Sequence, residues 1–548
     1  MGGGVECGGR GGISRETCRD ALAVAMVDAG CVAFDPEDER RYAGGAAVEG
    51  DYAEDRGQVV ARRCVRELAS IGEIATAVND ERAGDAGSRN RIIEAPFVKT
   101  AQGEKKSRPG GTAEAARADG AVHKPSGWEK AFVLATGIWF AISLVKLGNP
   151  VIFDRLVAAP TNVAEFIFTA WPIAWGFLIF GAVLLLSFSV VRPVWRRDQW
   201  PIALIGLWLF WQFLSSTQTI DKKLTAATMP HFVCCVLSFG LGWWALARTR
   251  TGALFWTPVL LGFLYTLFTG FDQLIGGLEA MRIAFYEQPN WQEYPKEYLQ
   301  KISSNRIFGT FVYPNAFAGG ILLLLPVCLW QSWALTSRWP RVARGVLVGI
   351  LGYLSLACLY WTGSKGGWLI GLMMVAVAVL HLNFSRKLKV TLVSVGIVLG
   401  LVIFFLRFSA YFQKGATSVG ARFTYWSAAA QNVKERPMFG SGPGTFSIVY
   451  GRIKEPEAEM AKLAHNDYLE QASDSGIIGG VSFAGFILLS LAFLYPTARV
   501  LGWEGIAVWV GLLGWAAQAF IEFSLYIPGL AWPVFLLFGW LWGKRKGS

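Results

Sequence analysis

From Trp128 onward the chain repeats one pattern, an apolar stretch of roughly 17–25 residues followed by a polar connection. At 1.5 Å of rise per helical residue, such stretches cross a hydrocarbon layer about 30 Å thick. The pattern predicts twelve transmembrane helices, at about 129–147, 168–191, 201–218, 231–247, 253–275, 315–336, 344–361, 366–383, 389–407, 475–495, 505–521 and 529–543. Residues 1–127 hold no comparable run and are rich in Gly, Ala, Arg, Asp and Glu. They read as a disordered or spurious cytoplasmic extension without a signal-peptide pattern. No Met lies between Met26 and Met229, so a shorter product requires a non-Met start or cleavage. The expected fold is an all-α polytopic membrane protein, with a multispanning domain over 128–548.

Charge orients this pattern. Arg192, Arg196 and Arg197 follow the second span, Arg248 and Arg250 the fourth, and Arg338, Arg341 and Arg344 the sixth. Arg386, Lys387 and Lys389 follow the eighth, Arg499 the tenth, and Lys544, Arg545 and Lys546 the twelfth. Every even-numbered exit is basic, so the positive-inside bias places both termini in the cytoplasm. The opposite face receives two long segments, about Gly276–Pro314 and about Phe408–Asp474. The second is expected to form a large helical loop, and long loops commonly carry function.

Composition sharpens the picture. The chain is 53% hydrophobic and only 17% charged, and its net charge of +11 is accounted for largely by the cytoplasmic loops. No nucleic-acid partner is needed to explain it. Mid-span positions are nearly free of ionisable residues, and Lys146, Asp272 and Glu522 fall near outer ends. Ion-coupled transport normally needs such groups at mid-membrane, so transport is disfavoured. Four of the 8 Cys (Cys7, Cys18, Cys31, Cys64) lie in the amino-terminal segment, and Cys234, Cys235, Cys328 and Cys358 lie in apolar runs. This spacing supports neither a disulfide framework nor a zinc site.

Four outer segments carry candidate chemistry. Arg306 precedes Tyr313-Pro314-Asn315, where Pro314 and Asn315 suit the start and cap of a helix and Arg306 offers paired donors to a lipid phosphate. Thr362-Gly363-Ser364-Lys365-Gly366-Gly367 is a small-residue turn with one point charge, Lys365. Residues 420–435 read as an amphipathic helix that stops before Pro437, with Arg422 and Trp426 one turn apart on one face. The Gly440-Ser441-Gly442-Pro443-Gly444 stretch that follows lacks the residues of a nucleotide loop and reads as a sharp turn. His465-Asn466-Asp467-Tyr468-Leu469 closes the large loop. Histidine titrates near neutrality and suits proton transfer from an acceptor hydroxyl, with Asp467 and Glu522 as reserve candidates.

Taken together, the Arg306–Asn315 and Thr362–Gly367 segments, the Arg422–Trp426 helix, the Pro437–Gly444 turn and the His465 box resemble the O-antigen ligase superfamily over roughly residues 300–545. The resemblance implies a bacterial inner-membrane glycosyltransferase that uses no metal or cofactor. It implies transfer of a glycan from an undecaprenyl-pyrophosphate carrier to a glycan, lipid or protein acceptor on the periplasmic face. The family's essential Arg and His match Arg422 and His465, and a further Arg matches Arg306. Lys365 stands where the family usually has Arg, so it keeps the charge without the bidentate geometry. The expected site is therefore Arg306, Arg422 and His465 for catalysis, with Lys365, Trp426, Asn466, Asp467 and Glu522 contacting substrate. A polysaccharide polymerase, a protein O-oligosaccharyltransferase and a lipid-linked glycan flippase remain alternatives.

Overall fold

The computed structural model describes residues 125–545 apart from 192–198, 250–251, 295–298, 300, 414–416 and 457. The expectation for the amino-terminal extension lies outside these residues, as do Arg192, Arg196, Arg197, Arg250 and Lys546. Among the described residues the protein is helical and contains no strand.

Helices α1 (Gly127–Lys146), α2 (Ile173–Ser187), α3 (Trp200–Ser216), α4 (Lys222–Trp244) and α5 (Gly252–Asp272) come first. A short helix, α6 (Leu278–Tyr286), precedes α7 (Pro314–Leu335), α8 (Arg341–Trp361), α9 (Lys365–His381) and α10 (Arg386–Gln413). The large loop contributes α11 (Thr417–Glu435) and α12 (Phe446–Ile453), and α13 (Asp467–Val500), α14 (Trp503–Gln518) and α15 (Pro528–Lys544) close the bundle. Seven helices are long and apolar enough to cross a membrane: α1, α4, α5, α7, α8, α10 and α13. The other five expected spans coincide with α2, α3, α9, α14 and α15, which are 15–17 residues long. Of the twelve expected spans, seven thus coincide with helices long and apolar enough to cross a membrane and five with shorter helices.

Helix α15 shows why length and exposure part company here. Its residues from Pro528 to Gly543 are all buried, so other helices rather than lipid enclose it. It packs on α4 with backbones nearly touching. A Cβ on Gly242 would meet Leu536 O at 2.2 Å, and one on Gly539 would meet Phe239 O at 2.0 Å. Small residues at such crossings let dispersion and backbone contact replace the missing hydrophobic drive between membrane helices.

Polar side chains stitch the two ends of the bundle separately. At one end Glu504 accepts from Trp256 (2.7 Å) and Gln331 (3.1 Å), and Lys544 donates to Thr249 O. At the other, Lys146 donates to Ile167 O and Thr169 O, which answers the charge at the end of α1. The loops bearing Arg306, Lys365, Arg422, His465 and Glu522 gather at this second end.

Helix α13 begins eight residues before the expected span, so Asp467–Asp474 are helical rather than loop. It breaks at Ser475 and Gly476, where Gly476 has φ +72°. The Pro437–Gly444 turn fills this break. Ile477 N–H donates to Pro437 O (2.8 Å), Ser441 N–H to Ser473 O (3.1 Å) and Gly442 N–H to Asp474 O (2.8 Å). The sharp turn read from sequence therefore satisfies backbone groups that the kink leaves open. Glycine is required on both sides, because a Cβ on Gly440 would sit 2.3 Å from Ser473 O and one on Gly476 would sit 2.2 Å from Met438 O.

Candidate active site

The large loop has its own small core: Tyr425, Ala428 and Ala429 of α11 against Phe446 and Tyr450 of α12, with Ala461 and Ala464. This packing fixes α11 over that second end of the bundle and turns Arg422 and Trp426 toward it. In the preceding outer segment, Arg282 of α6 donates to Ile302 O (3.0 Å), Ser304 O (2.9 Å) and Asn305 Oδ1 (2.5 Å). One guanidinium thereby shapes the loop that delivers Arg306.

These elements enclose a cavity of about 720 Å³. Arg306, Lys365, Arg422, Trp426, His465 and Glu522 all line it. Its polar end is organised by Glu522, only 3% exposed. Glu522 Oε1 accepts from Arg422 Nη2 (2.5 Å) and Asn315 Nδ2 (2.6 Å), and Oε2 pairs with His465 Nδ1 at 3.0 Å. Burial alone raises the Glu522 pKa, but the charges of His465 and Arg422, with their hydrogen bonds, outweigh it and hold the carboxyl at about 2. Glu522 is thus a poor proton acceptor near neutrality and an effective anchor. It is the hub of these contacts.

Arg306 donates through Nε to Thr362 O (2.7 Å) and through Nη2 to Asn315 Oδ1 (2.7 Å). Burial lowers its pKa to about 10, with Glu522 opposing and Arg422 adding to the shift, so it remains cationic near neutrality. Two of its donors hold it in place, and Nη1 makes no hydrogen bond to the described residues. Arg422 is held similarly, by Ile521 O and Ser418 O, both at 3.1 Å. Lys365 projects over the rings of Tyr411 (3.8 Å) and Phe408 (5.3 Å) of α10.

His465 has φ +51°, the one non-glycine residue with positive φ among those described. Its ring lies between Tyr425 (5.8 Å) and Phe523 (4.7 Å). Its carbonyl accepts from Trp426 Nε1 at 3.4 Å. With Nδ1 facing the Glu522 carboxylate, Nε2 makes no hydrogen bond to the described residues. A carboxylate that accepts from Nδ1–H fixes the tautomer whose Nε2 lone pair can take a proton.

Two expected site residues stand apart from the cavity. Asn466 caps α13, its side chain accepting from Leu469 N–H at 3.1 Å. Asp467 is fully buried behind the site and accepts from Leu525 N–H at 2.9 Å. Asn315 reverses its expected part. The residue capping α7 is Tyr313, without a side-chain cap, while Asn315 bridges Arg306 to Glu522. Its position beside Pro314 signals only a helix start, so sequence periodicity had no means of showing the bridge.

Beyond the polar end the lining turns apolar, with Leu369, Phe404, Phe405, Phe412 and Ile521. The site therefore offers fixed cations at one end and a hydrocarbon-compatible wall at the other.

Residues 350–484 match the family model described as O-antigen ligase. That range includes Lys365, Arg422 and His465, whereas Arg306 precedes it and Glu522 follows it. An uncharacterized protein of Haemophilus influenzae is 32% identical over 160 residues, covering 25% of this chain. The chain spans 38% of that relative's length. Residues 350–484, set in a multispanning helical bundle, thus form a region similar to the O-antigen ligase family.

Proposed function

We propose that this protein is a membrane glycosyltransferase that moves a glycan from an undecaprenyl-pyrophosphate carrier to an acceptor hydroxyl on the periplasmic face. Arg306 and Arg422 bind the diphosphate, and His465 Nε2 takes the acceptor's proton. The acceptor oxygen attacks the anomeric carbon from the side opposite the diphosphate. The bond from that carbon to the phosphate oxygen breaks, its electron pair leaves with the carrier, and the configuration inverts. Two guanidinium groups against the single Glu522 carboxylate leave net positive charge where the leaving group gains negative charge. Such preorganised charge is a large contributor to transition-state stabilisation.

The observation that supports this most directly is the joint placement of Arg306, Arg422 and His465 around Glu522 in one cavity. The apolar wall of Phe404, Phe405 and Phe412 suits the first isoprene units of a carrier. A cavity confined to one end of the bundle favours transfer over flipping.

The test uses the full chain in lipid nanodiscs with an undecaprenyl-pyrophosphate glycan. Three acceptors are offered separately: a lipid-linked core saccharide, a second lipid-linked glycan and a hydroxyl-bearing peptide. The glycosylated acceptor distinguishes ligase, polymerase and protein transferase. The expected result is carrier release that requires an acceptor and falls by about 10²–10⁴ in His465→Ala. Donor translocation without any covalent product would overturn the reading.

A further inference from the structure

Beneath the cavity, the outer turns of α13 carry three acidic residues on one face, Asp467, Glu470 and Asp474, all fully buried. None of them lines the cavity. Each commits one carboxyl oxygen to a backbone N–H of a different loop. Asp467 Oδ2 accepts from Leu525 (2.9 Å), Glu470 Oε2 from Ala464 (2.8 Å) and Asp474 Oδ2 from Gly444 (2.7 Å). The other oxygen of each is buried without a hydrogen-bond partner. Burying a carboxyl in this way is costly, and a good apolar packing residue would avoid the cost.

We propose that Glu470 and Asp467 are positioning residues for His465 and Glu522, each suspending one of the two site-bearing loops from the rigid outer end of α13. This rests on the reading of His465 as the proton acceptor and Glu522 as its anchor.

Glu470 grips the residue immediately before His465. A histidine at φ +51° occupies a backbone region that is unfavourable for an L-residue, so its surroundings must impose it. The Ala464 N–H bond to Glu470 fixes the chain on one side of His465, and the Asn466 cap fixes it on the other. Released from Glu470, His465 is free to relax to negative φ, and the imidazole swings away from Glu522.

Asp467 performs the same service for the Glu522 loop. Its own N–H donates to Ala519 O (2.8 Å), and its carboxyl holds Leu525 N–H, so it ties both ends of residues 519–525. The Leu525 carbonyl is clamped as well, by buried His231 Nε2 at 2.7 Å. His231 Nδ1 accepts from Trp532 Nε1 at 3.1 Å, which leaves Nε2 as the protonated nitrogen. Both backbone groups of Leu525 are therefore held by side chains of the bundle, three residues from Glu522.

The experiment compares Glu470→Ala, Glu470→Gln, Asp467→Ala and Asp467→Asn with the wild type and His465→Ala, all as full chains in nanodiscs. It measures kcat, donor KM, Tm and the rate of His465 carbethoxylation by diethyl pyrocarbonate, read by mass spectrometry. The other three histidines of the 4 in the chain serve as internal references. Glu470→Ala is expected to lower kcat by about 10²-fold, the cost of an ångström-scale misplacement, with little change in donor KM. Its His465 labelling rate changes too. Glu470→Gln keeps an oxygen for Ala464 N–H and restores both, and the Asp467 pair behaves in parallel. Wild-type kcat and labelling in a folded Glu470→Ala protein would overturn the proposal, as would equal losses in Ala and Gln variants. If Glu470→Ala fails to fold, Glu470→Asp, one methylene shorter, is read by the same criteria. Undiminished turnover in His465→Ala sinks the proton-handling reading, while the labelling result still reports whether Glu470 positions His465.

Discussion

Replacing Glu522 with Gln probes the hub of the site with the smallest change in shape. The carboxylate accepts from Arg422 and Asn315 through one oxygen and faces His465 through the other. Its pKa of about 2, against an ordinary 4.5, corresponds to about 3 kcal/mol in favour of the charged form. Glutamine can still accept from Arg422 or Asn315, but its amide N–H₂ then meets His465 Nδ1. Two donors cannot face each other, so the ring moves its proton to Nε2 and the lone pair needed by the acceptor hydroxyl is lost. The expected loss in kcat is about 10²–10⁴, as when a catalytic histidine is held in the wrong tautomer. Single-turnover transfer from a fluorescent undecaprenyl-pyrophosphate glycan measures it. Stability supplies a second reading. The Glu522 pKa is depressed in the folded state, so its contribution is complete above about pH 4.5 and is lost as pH falls through about 2. The wild type should therefore exceed Glu522→Gln in Tm at pH 5, and that margin should shrink as pH falls below 4.5. Wild-type kcat in Glu522→Gln would refute the hub assignment.

Other perturbations test neighbouring parts of the site. Arg306→Lys keeps a charge but cannot reach Thr362 O and Asn315 together, so donor KM rises and kcat/KM falls by about 10-fold or more in steady-state transfer assays. Gly363→Ala introduces a side chain at φ +60°, with its Cβ 3.3 Å from Arg306 Nε. It should cost on the order of 1 kcal/mol in thermal stability and weaken donor binding in parallel. Because guanidinium groups supply the positive charge, saturating chelator should leave the transfer rate unchanged, and a strong loss restored by magnesium would contradict that assignment.

Much of this architecture was legible in sequence because membrane burial imposes a coarse rule. Spans, their order and the placement of Arg306, Arg422 and His465 at one end follow from apolar run length and loop charge. The rule fails where protein replaces lipid. Helix α15, buried on every side, needs neither the length nor the exposed apolar face of a lipid-facing span. It fails again at α13, where Asp467, Glu470 and Asp474 look like loop residues by polarity yet form buried helix. Individual polar roles were illegible for a related reason. Asn315 reads as a helix-start residue, Asn466 as a ligand and Glu522 as a span-edge acid. The parts of Asn315 and Glu522, as bridge and hub, depend on contacts 207 residues apart for Asn315–Glu522 and 57 apart for His465–Glu522, whereas the Asn466 cap is local, to Leu469 N–H.

The central claim, that a lipid-linked diphosphate sits among Arg306, Arg422 and His465, is tested most directly by photocrosslinking. An undecaprenyl-pyrophosphate glycan bearing a diazirine on its first sugar is bound to the full chain in nanodiscs, irradiated, and mapped by mass spectrometry. Adducts are expected in three sequence-distant segments that share the cavity: 304–315, 419–426 and 459–465. Excess unlabelled donor should suppress all three together. Adducts confined to the opposite end of the bundle, around Thr249, Gln331 and Glu504, would contradict the account.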